Sequence, residues 1–304
     1  MPLKLCPDRV EPPARSRWAV FALMIFVAPV GCSDKEHASP TPVDVPPDAA
    51  APAVDAPLDA LAPLSLFATG ATQASVMAVV PDFATRNGLT ITLTFGSAGA
   101  LRDQILTGTS GADVAIVTPA VITALDAKAL VHAGSRVDLA QIGGGLAVRS
   151  GDEPPDISDS DKFKAALLAA DEIYYADPAL ATAGAAFIKI CNTLGIADTC
   201  AVAPNGKGHV SAGGAEAMAT MALSTATTVV GVTQISEIKV TPGVKLVAEY
   251  PVAPVNLQVK TVYAAMIVEG TRDLDNAQRL LQFVGSDVFK AQLAVYGFDP
   301  IPAP

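Results

Sequence analysis

The sequence is poor in the residue types on which most metal, nucleic-acid and catalytic sites depend. Its 304 residues include three histidines, His37, His132 and His209, which lie far apart in the chain. A metal site built from several histidines is therefore not expected. Charged residues make up 16% of the chain, the formal net charge is −10, and basic residues form no cluster. This charge balance argues against a nucleic acid as a partner.

Motifs of nucleophilic enzymes and of nucleotide-binding proteins are incomplete in this chain. Gly99 follows Ser97 at the right spacing, but Phe95 stands where a nucleophile elbow requires glycine, and no histidine lies nearby to act as a base. Residues 205–208 lack the upstream glycine and the Ser or Thr of a phosphate-binding loop. We therefore predict that the protein is not an enzyme and that it needs no cofactor.

Residues 1–31 are predicted to be a signal peptide rather than part of the fold. Basic residues precede an apolar run at residues 18–30, which is short for a membrane-spanning helix but typical of a signal-peptide core. The run ends at Gly31 and Cys32. A small residue before a cysteine resembles the lipobox of bacterial lipoproteins, with Pro29 in place of the usual leucine. We expect lipidation of Cys32, and simple secretion is the alternative.

Residues 32–63, which begin with this cysteine, are predicted to form a tether. The segment is rich in Pro, Ala and Asp and has no apolar periodicity, so it cannot bury a core. At about 3 Å per residue it could hold the following domain up to about 90 Å from an anchor. A tether after a lipidated cysteine predicts a periplasmic or cell-surface lipoprotein that contacts the membrane through its lipid anchor only.

From Leu64 onward, apolar patterns predict strands that alternate with helices, and one junction between them is especially clear. Apolar residues alternate with threonines over residues 89–95, and a helical pattern begins near residue 100. Residues 96–99 (GSAG), between the two, carry almost no side chain. The unpaired backbone N–H groups of a helix start favour an anion, and Ser97 adds a hydroxyl donor. The alternative is a tight turn in which small residues only permit close packing.

The same kind of junction recurs at three further places. Residues 68–72 (ATGAT) and residues 177–184 (DPALATAG) each follow a predicted strand, and residues 233–237 (TQISE) begin a short helix after another. Each junction offers neutral hydrogen-bond donors at a helix start. Glu237, in the last of them, is interpreted as a first-turn carboxylate that complements its own helix rather than as a ligand contact.

The order of these elements resembles the periplasmic molybdate-binding proteins of ABC transporters, within the type II solute-binding proteins. The segments that carry the resemblance are LSLFATGAT from residue 64, TFGSAGALRDQI from residue 94, ADVAIV from residue 112, GVTQISEI from residue 231 and NAQRLLQFVGSDVFKAQLAVYGF from residue 276. The resemblance implies an α/β fold of two lobes, each a mostly parallel sheet flanked by helices. The first lobe would comprise residues 64–140 and 248–304, and the second residues 141–247. Two crossing segments, one at the glycines 143–145, would form the hinge.

The resemblance also implies a function for this fold. A monomer of this family captures a small oxyanion of the molybdate or tungstate type in the cleft between its lobes and delivers it to an ABC permease. Neutral donors can hold such an anion without a counter-ion. The ligand-binding residues predicted on this basis are Thr69, Gly70, Thr72, Ser97, Ala98, Gly99, Thr182, Ala183, Thr233 and Gln234, and no metal ligands are predicted.

Two positions depart from the pattern of the family and support an alternative function. Ser97 matches the serine of the second loop, but Ala71 replaces a serine in the first loop and Thr233 replaces a tyrosine after the last strand of the second lobe. The alternative is a receptor-like sensor or interaction module that binds a small organic ligand independently of transport.

Cys191 and Cys200 are the cysteines that remain beyond the signal segment and the anchor. In an oxidising compartment we expect them to form a disulfide, which would close a short loop and stabilise the fold by about 2–3 kcal/mol. A reactive thiol is the alternative.

Overall fold

The structure of the protein is a computed structural model that describes residues 63–302. The predicted signal peptide, the lipidation of Cys32 and almost the whole of the predicted tether lie outside the described residues. Within residues 63–302, no helix is both long and apolar enough to cross a bilayer.

Strands and helices alternate along the described chain, as the apolar patterns predict. The strands are β1 (Leu64–Thr69), β2 (Ile91–Gly96), β3 (Val114–Val117), β4 (Val137–Ile142), β5 (Gly144–Arg149), β6 (Glu172–Ala176), β7 (Gly208–Ser211), β8 (Val229–Gln234), β9 (Val244–Glu249) and β10 (Thr261–Ile267). The helices are α1 (Gln73–Arg86), α2 (Ala98–Leu106), α3 (Pro119–Asp126), α4 (Ser160–Ala169), α5 (Thr182–Thr193), α6 (Ala197–Cys200), α7 (Gly214–Ala222), α8 (Ile235–Val240), α9 (Leu274–Val284) and α10 (Asp287–Val295). A short 3₁₀ turn (Gly70–Thr72) precedes α1.

The first lobe is built on a five-stranded sheet with the order β2-β1-β3-β10-β4. β1 pairs in parallel with β2 and β3, whereas β10 pairs antiparallel with β3 and β4. Helices cover both faces of this sheet: α1, α9 and α10 pack on one face, and α2 and α3 on the other. Because neither face meets water, β1 and β3 are apolar and buried along almost their whole length.

The second lobe is built on another five-stranded sheet, with the order β7-β6-β8-β5-β9. β6 pairs in parallel with β7 and β8, and β5 pairs antiparallel with β8 and β9. Helices α4 and α5 pack on one face of the sheet and α7 on the other. The parallel strands of both lobes end where helices begin, and ligands of open α/β sheets bind at such carboxyl ends. The two-lobe α/β fold is therefore confirmed.

The disulfide joins the end of α5 to α6 in the second lobe. The Cys191 and Cys200 sulfur atoms lie 2.17 Å apart, and both residues are buried. The hydroxyl of Tyr175, on β6, donates a hydrogen bond to the carbonyl oxygen of Cys200 at 2.7 Å. This contact holds α6 against the sheet.

The chain crosses between the lobes twice, and one side chain joins the two crossings. Gly143 lies between β4 of the first sheet and β5 of the second. Gln258 lies on the return segment that leads to β10. Its amide oxygen accepts from the backbone N–H of Gly144 at 2.9 Å, and its amide nitrogen donates to the carbonyl of Gly144 at 3.1 Å.

Both crossings lie later in the chain than the sequence predicts. β4 continues in the first sheet to Ile142, two residues past the predicted boundary at residue 140. β9 remains in the second sheet to Glu249, and Tyr250 and Leu257 pack in the core of the second lobe. The return to the first lobe therefore follows Leu257 instead of residue 247, because these two apolar side chains find their buried contacts in the second lobe.

Two of the three glycines predicted as a hinge, Gly144 and Gly145, are required by close packing. A Cβ atom on Gly144 would lie 2.2 Å from the ring of Tyr250, and a Cβ atom on Gly145 would lie 2.7 Å from the side chain of Leu246. Both residues lie inside β5. Their small size is therefore explained by the neighbours of β5, and Gly143 is the glycine at the crossing itself.

Candidate ligand-binding site

A cavity of about 350 Å³ lies between the lobes, at the ends of strands from both sheets. The first lobe contributes the end of β1 with the 3₁₀ turn, the end of β2 with the start of α2, and Tyr263 of β10. The second lobe contributes the starts of α5, α7 and α8. Among the described residues, no lysine, arginine or histidine lines the cavity. Backbone N–H groups and neutral side chains therefore supply most of its donors.

The first-lobe side of the cavity contains a hydroxyl group without a partner. Ser97 occupies the N-cap position of α2, but its side chain makes no capping hydrogen bond. Its Oγ atom is shielded from solvent and has no hydrogen-bond partner among the described residues. The Oγ atom of Ser236 is also shielded and has no partner among the described residues, but Ser236 does not line the cavity. Since buried polar groups are almost always hydrogen-bonded, Ser97 is a candidate donor to a ligand.

The second-lobe side of the cavity contains a buried carboxylate. Glu237 is 7% exposed and lines the cavity. Its Oε2 atom accepts a hydrogen bond from the hydroxyl of Thr233 at 2.5 Å. Burial raises the pKa of Glu237 above its ordinary value, and hydrogen bonding from Thr233 and from the backbone N–H groups of Gln234, Ala215 and Gly214 opposes that rise. The carboxylate therefore lies at the start of α7, where the helix dipole favours a negative charge.

A hydrogen bond between two buried side chains connects the lobes beside this carboxylate. The hydroxyl of Tyr263, on β10, donates to the amide oxygen of Gln234, at the end of β8, over 2.7 Å. Burial raises the pKa of Tyr263 above its ordinary value, and the nearby charge of Glu237 raises it further. Tyr263 therefore remains a hydrogen-bond donor at physiological pH and fixes the orientation of the Gln234 amide.

The structure brings most of the predicted ligand-binding residues to one cavity. Those that line it are Thr69, Gly70, Ser97, Ala98, Thr182, Ala183 and Gln234. They come from four separate strand-to-helix junctions in two lobes, so convergence of the junctions is a property of the fold and not of local sequence.

Three predicted ligand-binding residues, Thr72, Gly99 and Thr233, lie off the lining of this cavity. The hydroxyl of Thr72 donates to the carbonyl of Thr69 at 3.0 Å within the 3₁₀ turn. The backbone N–H of Gly99 donates to the carbonyl of Leu180 in the second lobe at 2.8 Å. The hydroxyl of Thr233 is held by Glu237. Each donor is already used inside the protein.

Several residues of the cavity are not found by the sequence analysis. Gly213 and Gly214 lie at the start of α7 in another junction of small residues, and this pattern could have identified them. Glu237, interpreted as a carboxylate that complements its own helix, also accepts hydrogen bonds from the backbone at the start of α7 and faces the cavity. A glutamate four residues after Thr233 is a recognisable spacing, whereas Tyr263 lies inside an apolar strand and has no local signal.

Two α/β lobes, joined by two crossing segments and enclosing a cavity, define the type II solute-binding fold. The chain belongs to the family of bacterial extracellular solute-binding proteins, whose sequence model matches residues 64–299. The match includes every strand and helix described above.

The relatives of the chain include binding proteins and an enzyme. It is similar to a curated protein named aconitate isomerase from a Pseudomonas species, with 26% identity over 250 residues that cover 79% of this chain and 88% of the relative. The periplasmic molybdate-binding protein of Azotobacter vinelandii has a TM-score of 0.64 at 20% identity, covering 79% of this chain and 100% of that one. A sulfate-binding protein from Mycobacterium tuberculosis has a TM-score of 0.60 at 16% identity, and the match covers 78% of this chain and 86% of that one. At these identities, the solved structures establish the fold.

Proposed function

We propose that the protein captures a small anionic solute in the cavity between its lobes and delivers it to an ABC importer. The observation that carries this proposal is the convergence of helix starts from both lobes on one cavity. Ser97 helps to line it, and its hydroxyl has no partner within residues 63–302. Helix N-termini and hydroxyl groups bind anions without a basic side chain. The residues that we propose as ligand contacts are Thr69, Gly70, Ser97, Ala98, Thr182, Ala183 and Gln234.

Tetrahedral oxyanions such as molybdate and tungstate are the first ligand class to test. The sequence resemblance and a structural neighbour named as a molybdate-binding protein support this class. The cavity volume of about 350 Å³ lies at the lower end of the range for small organic ligands and leaves room for an organic acid as well.

Binding can be measured by titration calorimetry and by thermal shift with molybdate, tungstate, sulfate and small carboxylic acids. The proposal predicts binding of at least one anion with a dissociation constant of about 1 μM or below. A folded protein that shows neither heat nor a shift in melting temperature with any of these anions would contradict it.

We propose a second candidate function, the isomerisation of an unsaturated polycarboxylate, because Glu237 could act on a substrate in the cavity. Glu237 provides a buried carboxyl group in the cavity, and groups of this kind can transfer a proton to or from a substrate. The relative named aconitate isomerase supports the idea. Incubation with cis-aconitate, followed by proton NMR, should then show the trans isomer, and Glu237→Gln should abolish the conversion. No conversion by the wild-type protein would reject this candidate.

We also propose that the protein is a periplasmic or cell-surface monomer, anchored by a lipid on Cys32 and separated from it by the tether. The apolar run before Gly31 and Cys32 supports this arrangement. In a membrane fractionation, Cys32→Ala should release the protein into the soluble fraction. An unchanged distribution between membrane and soluble fractions would contradict the anchor.

A further inference from the structure

The charges around the cavity are unusual for a site that binds an anion. Two carboxylates line it, Glu216 and Glu237, and among the described residues no basic side chain opposes them. Glu216 lies at the exposed start of α7, where its carboxylate accepts from the backbone N–H of Ala212 at 3.1 Å. Glu237 is almost completely buried. A ligand in the cavity therefore meets one buried carboxyl group, which accepts hydrogen bonds and repels negative charge when it is ionised.

The two oxygen atoms of Glu237 have different surroundings. Oε2 accepts from Thr233 and lies so close to α7 that a Cβ atom on Gly214 would be 2.1 Å away. Oε1 lies 3.0 Å from the position that a Cβ atom on Gly70 would take. Gly70 belongs to the first lobe and lines the cavity. Oε1 is therefore the oxygen of Glu237 that lies next to the first-lobe lining of the cavity.

A ligand that bridges Ser97 and Glu237 needs two kinds of polar group. Toward Ser97 and the helix starts it must accept hydrogen bonds, as a carboxylate or an oxyanion does. Toward Oε1 of an ionised Glu237 it must donate one, because a second acceptor there would leave two negative groups in contact without a proton between them. A fully deprotonated tetraoxyanion satisfies the first condition only.

We propose that the cavity selects a small hydroxy acid, whose carboxylate binds at the helix starts and whose hydroxyl donates to Glu237, over a fully deprotonated tetraoxyanion. This inference rests on the proposed capture of a small anion in the same cavity. The cavity volume of about 350 Å³ fits an organic acid of this kind, since a tetraoxyanion fills only part of such a space.

The test uses two dicarboxylic acids that differ by one hydroxyl group, malate and succinate, together with molybdate and sulfate, all measured by calorimetry at pH 8. Malate should bind the wild-type protein about tenfold more tightly than succinate, molybdate or sulfate, because a hydrogen bond to a charged acceptor is strong. Glu237→Gln should reduce the ratio of malate to succinate affinity to within about threefold. The control Glu153→Gln removes the same charge from an exposed residue outside the cavity lining and should leave that ratio unchanged.

Each outcome separates this inference from the proposed function. Equal binding of malate and succinate by the wild-type protein overturns the inference alone, as does tighter binding of molybdate or sulfate, and neither result depends on a variant. An unchanged malate preference in a folded Glu237→Gln protein also overturns it. Absence of binding by every probe overturns the proposed function and the inference together.

Discussion

Ser97 and Thr233 look alike in the sequence, since each places a hydroxyl group where a strand meets a helix, yet the structure uses them differently. The hydroxyl of Ser97 has no partner among the described residues. The hydroxyl of Thr233 holds the carboxylate of Glu237 at 2.5 Å. The junction at residues 96–99 therefore leaves a hydroxyl donor for a ligand. At the junction of residues 233–237, the hydroxyl is bonded to a side chain of the protein itself.

The difference follows from the residue four positions after the hydroxyl-bearing residue. That residue determines whether the hydroxyl is bonded within the protein or left for a ligand. Leu101 follows Ser97 by four residues and is buried in the first lobe. Glu237 follows Thr233 by the same distance, which places its carboxylate over the strand end. Changes that disturb the contact between Thr233 and Glu237 should therefore lower the free energy of unfolding. Changes at Ser97 should instead lower the affinity for the ligand.

The largest effect is expected from Gly214→Ala. Its Cβ atom would lie 2.0 Å from Thr233 Oγ1 and 2.1 Å from Glu237 Oε2, so the buried carboxylate must move. We expect the free energy of unfolding, measured with urea, to fall by about 3 kcal/mol. The control Gly213→Ala has open space around its Cβ atom and should cost well under half as much. Similar losses for both variants would show that Glu237 does not restrict this position.

Thr233→Val should have the next largest effect on stability. Valine keeps the shape of threonine but leaves the buried carboxylate of Glu237 without its hydroxyl donor. We expect a loss of about 2 kcal/mol in the free energy of unfolding. Thr233→Ser, which retains the hydroxyl, should lose less. A valine variant as stable as the wild type would mean that this hydrogen bond contributes little.

Ser97→Ala should show the opposite behaviour. Because no described residue bonds to the Ser97 hydroxyl, the free energy of unfolding without ligand should change by less than about 0.5 kcal/mol. Affinity for the bound anion should fall by about 1.5 kcal/mol, roughly tenfold, in calorimetry. A large loss of stability with unchanged affinity would reverse the roles assigned to the two junctions.

A dependence of stability on pH is also expected. Because burial raises the pKa of Glu237 above its ordinary value of 4.5, the folded protein retains a proton there that the unfolded chain releases. The free energy of unfolding should therefore decrease as the pH rises above about 4.5 and level off above the pKa of the folded state. Glu237→Gln should lack this component. Parallel pH profiles for the two proteins would argue against a raised pKa.

The local parts of the fold could be predicted from the sequence, because apolar periodicity reports them. The junction at residues 96–99 is an example. The return of β10 to the first sheet is not local, and it follows only from the family resemblance. The second crossing could not be located, since it depends on where Tyr250 and Leu257 find their buried contacts. The role of Glu237 could not be predicted either, because it depends on the approach of α7 to α8, which are separated in the chain by a whole strand.

A crystal structure of the protein with its most tightly bound anion would test the central claim most directly. The account predicts that the anion lies in the cavity between the lobes, with an acceptor oxygen about 2.5–3.2 Å from Ser97 Oγ. It also predicts that the hydroxyl of Thr233 still donates to Glu237. An anion bound outside this cavity, or one bonded to Thr233 after displacement of the Glu237 carboxylate, would contradict the account.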